Sequence, residues 1–280
     1  MTTTVTTKKI KTEKFIDPDV FDLSKTIKTN IQTLCTKINE NKSTKKMNIS
    51  FNSLSFNEIL DISVAFQGYY YLTELNISNN HLENKGTSIL LNCLKKYCIP
   101  IRLLNLSRNI IKNFEIAGLS DYIMETKILK TLNISKNNPH LSGMRSFFNS
   151  LTINQTIESL DISYNNIGNL SASFISDMIK SNIYLRILSL KGNNFTEKSM
   201  HMFINSFSQN PYISIINMKN NSNISFELQD YFGCLLYLNS ILKREKVLLF
   251  ILAREYCQAS LLFKEKLPTD IINLLIKHLV

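Results

Sequence analysis

The sequence predicts an α/β solenoid, a curved stack of coils with a parallel sheet on the inner side and helices on the outer side. Three observations predict it. A phrase of spaced aliphatics returns seven times at intervals of 28 or 29 residues. Every copy holds an asparagine at the same place. Each phrase is followed by an apolar pair four residues apart. A fixed period of about 20–50 residues marks a chain built from stacked units, and apolar spacing that changes from 2 to about 3.6 within a unit marks a strand followed by a helix.

The phrases begin at Thr44, Leu72, Ile101, Leu129, Ile157, Leu185 and Ile213. The fourth position of each is Met47, Leu75, Leu104, Leu132, Leu160, Leu188 or Ile216, and the sixth is Ile49, Ile77, Leu106, Ile134, Ile162, Leu190 or Met218. Alternation of this kind predicts a short strand with one face inward. The helical stripe is carried by the pairs Ile62/Phe66, Leu90/Leu94, Leu119/Ile123, Phe147/Leu151, Ile175/Ile179, Phe203/Phe207 and Tyr231/Leu235.

The ninth position is Asn52, Asn80, Asn109, Asn137, Asn165, Asn193 and Asn221. After each strand the chain must turn sharply, which leaves backbone N–H and C=O groups inside the stack with no sheet partner. An inward amide offers both donors and an acceptor, and each bare group would cost about 1–3 kcal/mol. Asp would supply acceptors alone and Leu neither. The seven asparagines are therefore expected to form a structural ladder. Glycine (7) and proline (5) are scarce, so the turns are expected to rest on Asn, which tolerates left-handed backbone.

The pattern L-x-x-L-x-L-x-x-N-x-L at this period resembles the leucine-rich repeat, in its ribonuclease-inhibitor-like subclass, over residues 44–240. The resemblance implies a horseshoe with a parallel concave sheet, convex helices and a cap at each end. Residues 1–23 read as a basic polar tail. Residues 24–43 read as a helical N-terminal cap carrying Ile27, Ile31, Leu34 and Ile38, and residues 241–280 as a helical C-terminal cap.

The net charge of +10 is concentrated in the flanks. Residues 1–46 hold ten lysines against five acids, and residues 241–280 hold seven basic residues against four acidic ones. A nucleic-acid binder would gather charge on its binding surface, so no nucleic acid is expected. The five cysteines form no C-x-x-C pair, which points to reduced thiols in the cytoplasm. Cys93 and Cys98 are expected to pack on a repeat helix. The start "MTTTVTTKKIKTEK" has no apolar core, so no secretory signal is expected, and no apolar run is long enough to insert in a membrane. The sequons at Asn76, Asn105 and Asn133 share one repeat position, which favours a structural reason over glycosylation. The Asn-, Ile- and Lys-rich, Gly- and Trp-poor composition suggests an AT-rich genome, which leaves open a secreted effector working in a host cytosol.

No metal, cofactor or catalytic group is expected. His81, His140, His201 and His278 lack a carboxylate or Cys at ligand spacing, and no phosphate-binding glycine loop occurs. The resemblance places strand positions two, three, five, seven and eight on the concave side. There Arg102, Arg108, Lys130 and Lys136 make a basic patch. Leu103, Tyr164, Ile187 and Ile215, with Arg186, put large apolar groups in water, as protein interfaces do. The expected role is non-enzymatic capture of a protein partner on this face by a monomer.

Two further resemblances imply alternatives. The repeat length is similar to that of the GTPase-activating protein for Ran, which would make Arg108 a catalytic arginine. The acidic tail of that family has no match here. The closing "LPTDIINLLIKHLV" resembles the first helix of an F-box, through Leu267, Pro268, Asp270, Ile271, Leu275 and Leu279. That would make the chain a substrate adaptor of a ubiquitin ligase. An F-box needs about three helices, and one is present.

Overall fold

The computed structural model describes residues 19–25, 31–115, 117–210, 212–221, 224, 225, 228 and 232. Among these, eight three-residue strands form one parallel sheet in strictly sequential order. They are β1 (Val20–Asp22), β2 (Lys46–Asn48), β3 (Glu74–Asn76), β4 (Leu103–Asn105), β5 (Thr131–Asn133), β6 (Ser159–Asp161), β7 (Ile187–Ser189) and β8 (Ile215–Asn217). The helices between them are α1 (Ile31–Glu40), α2 (Phe56–Ala65), α3 (Glu83–Lys96), α4 (Leu119–Glu125), α5 (Met144–Ile153), α6 (Ala172–Ser181) and α7 (Glu197–Ser208). The predicted α/β solenoid is what the chain forms.

Register follows the repeat. Leu75 faces Leu104, Leu104 faces Leu132, and so on to Leu188 facing Ile216. These fourth-position side chains point into the stack, while positions three and five stay partly exposed. The helix stripe closes the core from the other side: Ile62, Phe66, Leu90, Leu94, Phe147, Leu151, Ile175, Ile179, Phe203 and Phe207 are all buried. Tyr231 and Leu235, the last pair, lie outside the described residues.

The N-terminal end differs from the expectation. Val20–Asp22 is a strand rather than tail, and Leu23 is buried at 4% exposure. Phe21 pairs with Met47, so this first coil is two residues shorter than a full repeat, which hides it from a 28-residue register. Its physical role is to cover the edge of β2. The helix α1 follows, with Leu34 and Ile38 buried. Ile27 lies outside the described residues, and so does the whole span 241–280, including the F-box-like positions Leu267, Pro268, Asp270, Ile271, Leu275 and Leu279.

Candidate functional site

The asparagine ladder builds the edge of the site. Asn137 Nδ2 donates to the Leu106 carbonyl (3.1 Å) of the preceding coil and the Ile134 carbonyl (2.9 Å) of its own. Its Oδ1 accepts from the backbone N–H groups of Asn109 (2.7 Å) and Ile111 (3.2 Å). The same scheme links Asn165 to Asn193 and Asn193 to Asn221. Six rungs are buried, and Asn221, the last, is half-buried. Position five adds a second device. The side-chain oxygens of Asn76, Asn105, Asn133 and Asp161 accept from the N–H of Ser78, Ser107, Ser135 and Ser163 at 3.0–3.1 Å. These Asx turns give the sequons their structural reason.

Locking the turn forces position eight into left-handed backbone. Phe51, Asn79, Arg108, Lys136, Tyr164, Gly192 and Asn220 have φ between +53° and +63°. They stand in a row across the C-terminal ends of the strands, and those from Phe51 to Tyr164 line a shallow trough of about 580 Å³. It is lined by Phe51, His81, Arg108, Ile110, Lys136 and Tyr164, among others. Tyr164 is its best-held member. A Cβ on Gly192 would sit 2.5 Å from the Tyr164 ring, so glycine there makes room for the ring. Lys136 and Lys191 stand 5.0 and 5.4 Å from the ring centre, and Asn220 Nδ2 donates to the hydroxyl at 3.0 Å. The hydrogen bond from Lys191 first, then that from Asn220 and the charges of Lys191 and Lys136, hold the phenol below the ordinary tyrosine value.

The predicted basic patch divides in two. Arg108 and Lys136 line the trough, whereas Arg102 and Lys130 stand at the opposite ends of their strands. Lys130 is engaged by Glu158 at 2.6 Å. Arg186 folds back onto the Ile183 carbonyl (2.7 Å) and over the Tyr212 ring (5.5 Å). Of the predicted apolar anchors, Ile187 and Ile215 are register neighbours on β7 and β8, 40% and 53% exposed. Leu103 is half-buried. Tyr164 belongs to the trough.

The family model for the leucine-rich repeat matches residues 71–88 and 154–176. Together with the single-file parallel sheet and its outer helices, this decides the class. The chain folds as a leucine-rich-repeat solenoid. Its fold is similar to several solved structures. The Rad7–Elc1 complex of yeast is 14% identical at a TM-score of 0.46, over 74% of this chain and 58% of that one. The actin-binding site 2 of leiomodin-1 is 11% identical at 0.37, over 82% and 98%. The tropomodulin C-terminal domain of Caenorhabditis elegans is 13% identical at 0.36, over 76% and 95%. This chain spans less than two thirds of the chain it matches in that complex. No curated protein sequence matches it.

Other features of this solenoid bear on what the site can do. Among the described residues no group of three His, Cys, Asp or Glu side chains could hold a metal ion, and no helix is long and apolar enough to cross a membrane. His81, His140 and His201 are exposed. Cys93 is buried on α3, donates to the Ser63 carbonyl at 3.4 Å, and has its thiol pushed up to about 11 by burial. Cys98, expected on the helix, lies beyond its end, exposed and at φ +51°.

The structure also shows a second buried asparagine column that the sequence reading missed. Asn154, Asn182 and Asn210 sit where each helix returns to the next strand. Asn182 Nδ2 donates to the Leu151 carbonyl (2.6 Å), and its Oδ1 accepts from the N–H of Tyr184 (2.8 Å) and Leu185 (2.7 Å). The signal was present: the three residues lie one repeat length apart.

Proposed function

We propose that this protein is a non-enzymatic binding module that captures a partner protein on its concave sheet. One observation carries the reading. Ile187 and Ile215 form a contiguous apolar pair, exposed on the inner face of β7 and β8, where neighbouring strands present polar or paired side chains. An apolar pair kept in water on a rigid sheet is characteristic of an interface core, and a leucine-rich-repeat fold suggests protein–protein interaction. In this reading the protein acts as a monomer in the cytoplasm, in keeping with the unpaired thiols of Cys35, Cys93 and Cys98. Arg102, Leu103 and Lys130 extend the contact along the sheet.

Photo-cross-linking in cells tests this. A photoreactive side chain in place of Thr131 or Ser159 on the sheet is expected to trap partner proteins, and Ile187→Asp with Ile215→Asp is expected to abolish the trapping while leaving the melting temperature within a few degrees. Equal trapping from Val64 on the outer helix, unaffected by the two substitutions, would overturn it.

A further inference from the structure

The trough at the strand ends differs chemically from the sheet. Its floor is apolar: Phe51 and Ile110 are 53% and 40% exposed, and Tyr164 is 37% exposed. Its wall is cationic. Arg108 and Lys136 line it, Lys191 stands next to it beside the Tyr164 ring, and the three form none of the ion pairs found among the described residues. Lys136 and Lys191 instead flank the Tyr164 ring, which Gly192 and Asn220 hold in place. No carboxylate lines the trough.

Ile110 is the second, independent sign. It lies at φ +61°, a conformation in which a β-branched residue is a genuine outlier. Three other coils place Asn138, Asn166 and Asn194 there in the same backbone state, at lower strain. The chain thus holds a strained, exposed isoleucine where asparagine fits better. Strain of this kind concentrates at functional sites.

We propose that this trough docks an extended acidic segment of a partner protein, its carboxylates against Arg108, Lys136 and Lys191 and one apolar side chain seated among Phe51, Ile110 and Tyr164. This deepens the binding-module reading and rests on it. Charge complementarity names the occupant: an unpaired cationic wall over an apolar floor suits acidic residues around one apolar anchor. The row from Phe51 to Tyr164 crosses five coils. At about 4.8 Å per strand step it is roughly 19 Å long, which fits about six residues of extended chain.

The probe is a fluorescent hexapeptide of Glu and Asp with one central Leu, titrated by polarisation, with amide shifts mapped by NMR. Binding is expected with shifts centred on residues 108–110, 136–138, 164 and 192. Arg108→Glu and Lys136→Glu are each expected to weaken binding by about tenfold or more, whereas Lys127→Glu, an equal charge change elsewhere, leaves it within about twofold. Ile110→Asn is expected to raise the melting temperature and weaken the peptide together, an outcome that misfolding cannot mimic. Equal binding of the Gln and Asn version, shifts centred elsewhere, or a hexathymidylate that binds this trough more tightly than the peptide would each overturn the proposal. If Thr131 cross-links persist in the Arg108→Glu, Lys136→Glu double variant while the peptide fails to bind wild type, only the trough assignment falls. Loss of cross-linking in the wild type sinks the broader reading instead.

Discussion

At Asn137 one amide answers five backbone groups. Its Nδ2 donates to the carbonyls of Leu106, Ile134 and Ser135, and its Oδ1 accepts from Asn109 and Ile111. Asn109 keeps the three donor bonds (to Ile77, Leu106 and Ser107), yet its buried Oδ1 has no partner. The cause lies in the coil above. There the left-handed residue that follows the asparagine has moved from His81 to Glu83, and no N–H is presented. Asn137→Ala therefore strands two buried donors that Asn109→Ala does not. It is expected to cost about 1–3 kcal/mol more, read as the difference between the two denaturation midpoints. Comparable losses from both variants would mean that the carbonyl bonds alone carry the ladder. The role of the seven asparagines was legible in their chemistry and fixed spacing. The idle oxygen was not, because it depends on the backbone path of a different repeat.

Among the elements, α2 has the most complete start. Ser55 is its N-cap, Glu58 Oε2 accepts from the Ser55 N–H at 2.9 Å, and the two side chains bond each other. The Ser55 side-chain bond holds the Glu58 carboxyl below the ordinary carboxylate value. A lowered folded value stabilises the protein above the unfolded value, about 4.3, and that stability is lost as pH falls through the folded value. Thermal melts of wild type and Glu58→Gln are expected to differ near neutrality by about 0.5–1 kcal/mol and to converge below about pH 4. A gap that widens in acid would reverse the sign of the argument. The return loops show the limit of pattern reading. Asn182 saturates the loop after α6 with a buried amide, and Asn182→Ala is expected to cost about 2–4 kcal/mol in a denaturant titration. In the first repeat the Tyr69 hydroxyl serves that loop instead, donating to the Ile38 carbonyl at 2.5 Å. Because the first coils use different side chains for one task, the column does not run the length of the repeat array. The strand Val20–Asp22 escaped for a related reason: its coil is two residues short.

For the whole molecule, stability is a sum over coils and the seams between them, so the array should part at its weakest seam. Two observations put that seam between the second and third repeats. The asparagine relay is broken there, at Asn109 Oδ1. The helix contact between α3 and α4 is also the thinnest between successive helices from α1 to α7. Against this, Asn84 Oδ1 accepts from Lys112 and Asn113 across the same seam at 2.9 and 3.0 Å. The Lys112 bond lies in solvent, where a hydrogen bond contributes less than a buried one. The sheet itself runs through unbroken from β3 to β4. The extra residue in this repeat, which brings its spacing to 29, is visible in the sequence, but its consequence appears only in three dimensions. Native-state hydrogen exchange at rising urea should therefore resolve two cooperative units, one covering β2 to α3 and the other β4 to α7, with the Asn137→Ala penalty confined to the second. A single exchange step across all strands, or a division at another seam, would show that the continuous sheet outweighs the broken relay.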